Sequence, residues 1–196
     1  MVRLVVGLGN PGERYAATRH NVAWQVLDEL AARWRANDDP PSPLKRTRRA
    51  LVGGETVVLM QPLTYMNEVG RALESWKAEP ALPRANWLIV TDDVYLPVGT
   101  LRIRQHGSSG GHRGLASVEQ ALDSREFARL RIGVGAAESS AQLKQHVLEA
   151  FDLDERPAVE AAVRRAADAV ECWVTQDIRT TMNRFNRRVR KEVPES

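Results

Sequence analysis

The sequence predicts an α/β fold built as a single three-layer domain, and three observations carry that prediction. Short apolar runs that stop at turn residues alternate with amphipathic stretches of helical period. The 196 residues suit one domain, and no internal repeat divides them. No apolar run approaches the ~18 residues that a membrane span requires.

Taken in order, Val2, Leu4, Val5 and Val6 make a buried strand that stops at Gly7, with Asn10-Pro11-Gly12 as turn chemistry behind it. Val22, Ala23, Val26, Leu27, Leu30, Ala31 and Trp34 form a helical stripe over residues 22–34. Residues 37–48 read as a loop. Leu51-Val52 and residues 56–60 flank Gly53-Gly54, which predicts a hairpin. Residues 64–67 are the next strand-to-helix junction, before a short helix over 69–76. Residues 87–90 are a continuous apolar strand running into Thr91-Asp92-Asp93. Residues 101–104 alternate as a half-buried strand should. The Gly-rich stretch 107–114 is the most flexible by composition and leads into a helix over 115–122. A strand follows over 130–134, then an irregular polar stretch over 136–145. Pro157 suits the start of a long helix whose face carries Val159, Ala162, Val163, Ala166, Val170, Trp173 and Val174, with Cys172 as a packing residue.

Composition narrows the function classes. One cysteine excludes an internal disulfide and any multi-cysteine metal site. The first residues lack the pattern of a secretory signal, so a cytoplasmic protein is expected. Net charge is only +3, yet 24 of the 28 basic residues are Arg, through codon usage or because a planar fork suits phosphate. Arg184, Arg187, Arg188, Arg190 and Lys191 make a basic tail over about 184–196, either a solvated terminus or a nucleic-acid contact.

Gly7-Leu8-Gly9-Asn10-Pro11-Gly12 fits the letters of the dinucleotide fingerprint. That fingerprint needs a helix opening inside it and an acidic residue ~20 positions on at a strand end. Here Asn-Pro-Gly interrupts the turn and the downstream residues continue a helix, so no cofactor is expected. A different set stands at the strand ends: Asn10 and His20, Asn67, and Asp92, with His112 on the Gly-rich loop. Each alone has an ordinary structural role as a cap or a core histidine. Together they offer a base, a carboxylate to orient it and two amides for an oxyanion, without a Ser or Cys nucleophile at an elbow. That set suits water activated by a general base and attacking an acyl centre.

Five ordered motifs carry a resemblance: GLGNPGERYAATRHN (7–21), QPLTYMNEVGRAL (61–73), DDVYLPVGTLRIR (92–104), GGHRGLASVEQAL (110–122) and FARLRIGVG (127–135). On them the chain resembles the bacterial-type peptidyl-tRNA hydrolases over nearly its whole length. The resemblance implies a cytosolic monomer with a twisted mixed β-sheet flanked by helices, needing neither metal nor cofactor. It implies cleavage of the ester between a peptide and the 3′ ribose of tRNA, which recycles tRNA from aborted translation. His20 would be the base and Asp92, five residues before Pro97, its orienter. Asn10 and Asn67 would hold the carbonyl and support the oxyanion. Tyr15 and Met66 would line the cleft, His112 would contact the peptide backbone, and Arg104 with Arg131 would clamp the tRNA 5′-phosphate. The chain departs from the family pattern twice: Arg113 stands where an Asn is usual, and Tyr95 where an Asp is usual. Arg can only donate, so Arg113 is expected to turn away from His20, towards the tRNA backbone or a carboxylate. Relatives that bind RNA without hydrolysis are the alternative.

Overall fold

The computed structural model describes residues 1–77, 82–137 and 139–186. The first apolar run is β1 (Val2–Gly7), and its place in the sheet follows from its burial on both faces: Leu4, Val5 and Val6 have no exposed surface. Its neighbours are β4 (Glu55–Pro62) and β5 (Trp87–Asp93), both parallel to it. Next to β5 lies the parallel β7 (Ala128–Gly133), and antiparallel β6 (Leu101–Arg104) closes that side. On the other side β3 (Lys45–Val52) pairs antiparallel with β4, and β2 (Asn37–Asp38) with β3. The sheet therefore runs β2-β3-β4-β1-β5-β7-β6, mixed as expected.

Strand alternation sorts the core into two layers. Val5, Val57, Leu59, Leu88 and Val90 pack against α1 (Val22–Trp34) and α5 (Arg156–Thr175). Leu4, Val6, Val58, Met60 and Ile89 pack on the opposite face against α2 (Val69–Lys77) and α3 (Arg113–Leu122). β7 breaks the second pattern. Its Ala128, Leu130 and Ile132 join the α1–α5 layer, so Arg129 and Arg131 occupy the other face. Register sets Arg104 of β6 opposite Arg129, and Arg102 opposite Arg131. Arg129 is buried and ion-paired with Glu119, so Arg102, Arg104 and Arg131 are the arginines that reach the surface here.

Two readings of the sequence are corrected, and one helix is added. The loop read over 37–48 contains β2 and the first half of β3. The strand carries few apolar residues, and its stability comes from pairing with β4 and from cross-strand ion pairs of Arg46 with Asp38 and Arg49 with Asp39. The irregular stretch 136–145 holds a 3₁₀ turn, Ser140–Gln142, and the start of α4 (Leu143–Val147), whose His146 Nε2 donates to Gly135 O at 2.9 Å. A helix not foreseen, α6 (Ile178–Phe185), is capped by Asp177, which accepts from Thr180 N at 2.8 Å. Behind it the Asn186 amide pairs with the backbone of Ile103 on β6, accepting at 2.7 Å and donating at 3.0 Å. Of the basic tail, residues 187–196 lie outside the described residues.

Gly133, at the end of β7, has no room for a side chain: a Cβ there would collide with the Pro97 carbonyl and come within 2.9 Å of Leu96. Gly133→Ala is therefore expected to cost about 3 kcal/mol, the upper part of the range for overpacking a tight site. Urea denaturation measures it, and an unchanged midpoint refutes the close approach.

Candidate active site

Strands β4, β1, β5 and β7 are parallel, so their carboxyl ends share one edge, where ligands bind in such sheets. Four connections open there: residues 8–12, 63–67, 94–96 and 134–135. His20 reaches this edge on a 3₁₀ turn, Arg19–Asn21, that leads into α1. Both its neighbours are buried and tied down. The Asn21 amide accepts from Asn10 N at 2.8 Å and donates to Asn10 O at 3.0 Å, locking the turn to the loop after β1. Arg19 is ion-paired to Glu155 at 2.7 Å, donates to Val134 O at 3.3 Å, and lies over the Phe151 ring. His20 is thus fixed from two sides.

The first two glycines of the apparent dinucleotide fingerprint, Gly7 and Gly9, serve packing. A Cβ on Gly9 would lie 2.6 Å from the Trp24 indole of α1, and Trp24 Nε1 donates to Gly7 O at 3.0 Å. Close approach of helix to strand explains Gly7 and Gly9, while Gly12 answers to its positive φ of 106° in the turn.

Asp92 is almost wholly buried at the end of β5, and its Oδ1 receives two histidines. His20 Nδ1 donates to it at 2.8 Å and His112 Nε2 at 2.9 Å. The second ring nitrogen of His112, Nδ1, accepts from Leu115 N at 3.2 Å and so caps α3. That bond fixes the tautomer: with Nδ1 accepting, the proton of a neutral ring sits on Nε2. Thr91 Oγ1 lies 2.8 Å from the same nitrogen. Burial alone would push the Asp92 carboxyl up, but His20 and His112 outweigh it and hold the group well below the usual carboxylate range. The three side chains have ligand atoms within 4.8 Å of one another, as a metal site requires. However, a metal on His112 Nε2 needs the proton on Nδ1, where the Leu115 N–H already points. The set fits a hydrogen-bonded relay.

A cleft of about 510 Å³ opens above this relay. Asn10, Tyr15, His20, Met66, Asn67, Asp92, His112, Arg113 and Arg131 all line it, so the fold gathers nine of the ten residues singled out in the sequence. The tenth, Arg104, is exposed on β6 outside the cleft. Asn10 is buried and its Oδ1 accepts from Met66 N at 2.9 Å, which orients the amide and leaves Nδ2 as its donor. Asn67 is exposed at the rim. Met66 fills the place where a Cβ on Gly114 would stand, which joins the second motif to α3.

Arg131 is less free than a phosphate clamp suggests. It is ion-paired with Asp93 at 3.3 Å and donates to Ser108 O and Ser109 O, both at 3.0 Å. It therefore pins the Gly-rich loop that carries His112. His112 has both ring nitrogens engaged inside the protein, so a peptide contact through either nitrogen needs one of these bonds to break. Arg113 is exposed and has no hydrogen bond or ion pair to His20 or to any described carboxylate. The sequence reading missed the supporting roles of Arg19, Asn21 and Asp93. Their signal was position alone, since each adjoins a singled-out residue.

Known proteins resemble this chain over nearly its whole length. The family model for peptidyl-tRNA hydrolase matches residues 4–193. The peptidyl-tRNA hydrolase of Salinibacter ruber is 44% identical over 93% of this chain and 97% of its own length. That of Symbiobacterium thermophilum is 42% identical over 95% and 100%. Among solved structures, peptidyl-tRNA hydrolase from Acinetobacter baumannii superposes with a TM-score of 0.88 at 30% identity, covering 94% of both chains.

The Asp92 shift has a stability consequence. A carboxylate held below its unfolded value contributes stability that is complete above ~pH 4 and lost as pH falls towards the folded value. Asp92→Asn removes that contribution. The stability gap between wild type and Asp92→Asn, from urea titrations, is expected to narrow steadily from ~pH 4 down to ~pH 2. A constant gap would show that the histidines do not stabilise the charge.

Proposed function

The chain belongs to the peptidyl-tRNA hydrolase family, and we propose that its cleft hydrolyses the ester between a peptide, or an N-blocked amino acid, and the 3′ ribose of tRNA. The observation that carries the reading is the buried carboxylate of Asp92 behind His20, at a cleft that Asn10 enters as an oriented amide donor. With Nδ1–H donating to Asp92, the neutral imidazole of His20 keeps its lone pair on Nε2. His20 Nε2 takes a proton from water as the water oxygen attacks the ester carbonyl carbon. Negative charge develops on the carbonyl oxygen, where Asn10 Nδ2 and the Asn67 amide donate. As the tetrahedral intermediate collapses, the bond to the ribose oxygen breaks and His20 returns its proton to that oxygen. The products are a free acyl acid and tRNA with its 3′ hydroxyl restored, as recycling after aborted translation requires.

Substrate positioning falls to Arg104 of β6 and Arg131 of β7, because phosphate contacts fix register without reading sequence. Tyr15, Met66 and Arg113 line the approach to the ester. Oligomerisation adds no residue to this reading, which is that of a cytoplasmic monomer. Among the described residues no helix is long and apolar enough to cross a membrane.

The direct test is release of a blocked amino acid from N-acyl-aminoacyl-tRNA, with unblocked aminoacyl-tRNA as control. Tight tRNA binding without turnover would instead make the protein a binding relative. His20→Ala is expected to lower turnover on the order of 100-fold, with substrate affinity nearly unchanged. Asp92→Asn should do less damage, since the imidazole remains. Wild-type-like turnover in His20→Ala ends the mechanism.

The two arginines should separate. Arg104 is exposed, so Arg104→Ala should raise KM for full-length tRNA and reduce the salt slope by roughly one. Arg131→Ala should lower kcat as well, because it also releases Asp93 and the loop before His112. Equal effects confined to KM would show that this loop holds without Arg131.

A further inference from the structure

One wall of the cleft has a character that the hydrolytic step does not use. Val94 and Tyr95, in the turn after β5, and Leu143, Val147 and Leu148, from α4 and its end, line it together. Gly135 joins the two segments: its N–H donates to Leu96 O at 3.1 Å, and its carbonyl accepts from His146 at 2.9 Å. The turn itself is fixed, because Asp93 Oδ1 accepts from Tyr95 N at 2.8 Å and Leu96 beneath is buried. On this rigid base Tyr95 is 70% exposed. A large aromatic held out over a cleft on a fixed backbone offers apolar area that a ligand can cover without ordering the protein first.

We propose that Tyr95, with Val94 and the apolar residues of α4, forms a side-chain subsite that makes the enzyme favour acyl groups bearing a large apolar or aromatic side chain. The proposal rests on the hydrolase reading and deepens it to a substrate preference. The wall suits the acyl half of the substrate. Four of its five side chains carry no hydrogen-bonding group, and the exposed arginines Arg102 and Arg104 that suit phosphates stand on β6 outside the cleft. Lys144 is the charged side chain that α4 adds to the lining, and it defines the competing outcome, a preference for acidic side chains.

The test charges one tRNA body with N-acetyl-phenylalanine, N-acetyl-leucine, N-acetylglycine and N-acetylaspartate and measures kcat/KM for each. The Phe and Leu esters should exceed the Gly ester by roughly 10-fold, the lower end of what an apolar pocket discriminates. Tyr95→Ala should bring the Phe-to-Gly ratio close to one, and Tyr95→Phe should preserve it, because the ring and not the hydroxyl makes the contact. Leu143→Gln, on α4, should lower the same ratio. Equal rates on all four esters, a ratio untouched by Tyr95→Ala, or a preference for the Asp ester overturns the subsite and leaves the hydrolase reading standing. Hydrolysis of none of them overturns both.

Discussion

Everything in the cleft depends on one oxygen atom. Asp92 Oδ1 takes a hydrogen bond from each of two histidines that arrive on different segments, one on the turn before α1 and one at the cap of α3. A buried carboxylate is costly unless its charge is met by donors. Here the donors are the base itself and the residue that starts the helix on the other layer. The charge therefore fastens the two layers to the sheet at the point of reaction. His20 cannot swing free without stranding Asp92, and α3 cannot unwind its first turn without doing the same.

The rest of the edge is arranged around that point by side chains that never meet substrate. Asn21 binds the loop after β1 to the base turn, and Arg19 binds the turn to the segment after α4. Arg131 holds Asp93 and the Gly-rich loop, so that loop is tied to the strand that bears the relay. Three ion pairs or amide locks thus turn four flexible connections into one positioned site, which is the condition for an oxyanion donor to act without reorganising.

The sequence disclosed what local chemistry encodes. Apolar runs marked β1 and β5, the stripe over 22–34 gave α1 to the residue, and turn residues placed Asn10, His20, Asn67 and Asp92 at strand ends that a shared parallel sheet brings together. What stayed hidden depends on distant partners. β3 is a strand because β4 pairs with it and three aspartates, Asp28, Asp38 and Asp39, accept from its arginines, not because its own residues favour one. α4 is too short to announce itself, and α6 is written mainly in polar residues. His112 looked available to a peptide because nothing in its sequence neighbourhood says that both its nitrogens are taken. Arg131 likewise looked free until Asp93 and two carbonyls were found around it.

The pairing of Asn186 with Ile103 reaches beyond local stability. β6 is the outermost strand on its side, and its outward N–H and C=O would otherwise template a strand from a second chain. A side-chain amide carries the same donor and acceptor as a peptide group, so Asn186 imitates one residue of an eighth strand and stops the ladder there. Sheet growth between molecules at this border must first evict that amide. Arg102 and Arg104, the exposed arginines that flank Ile103, thus stand at a border whose ladder is closed by a side chain and not by a further strand.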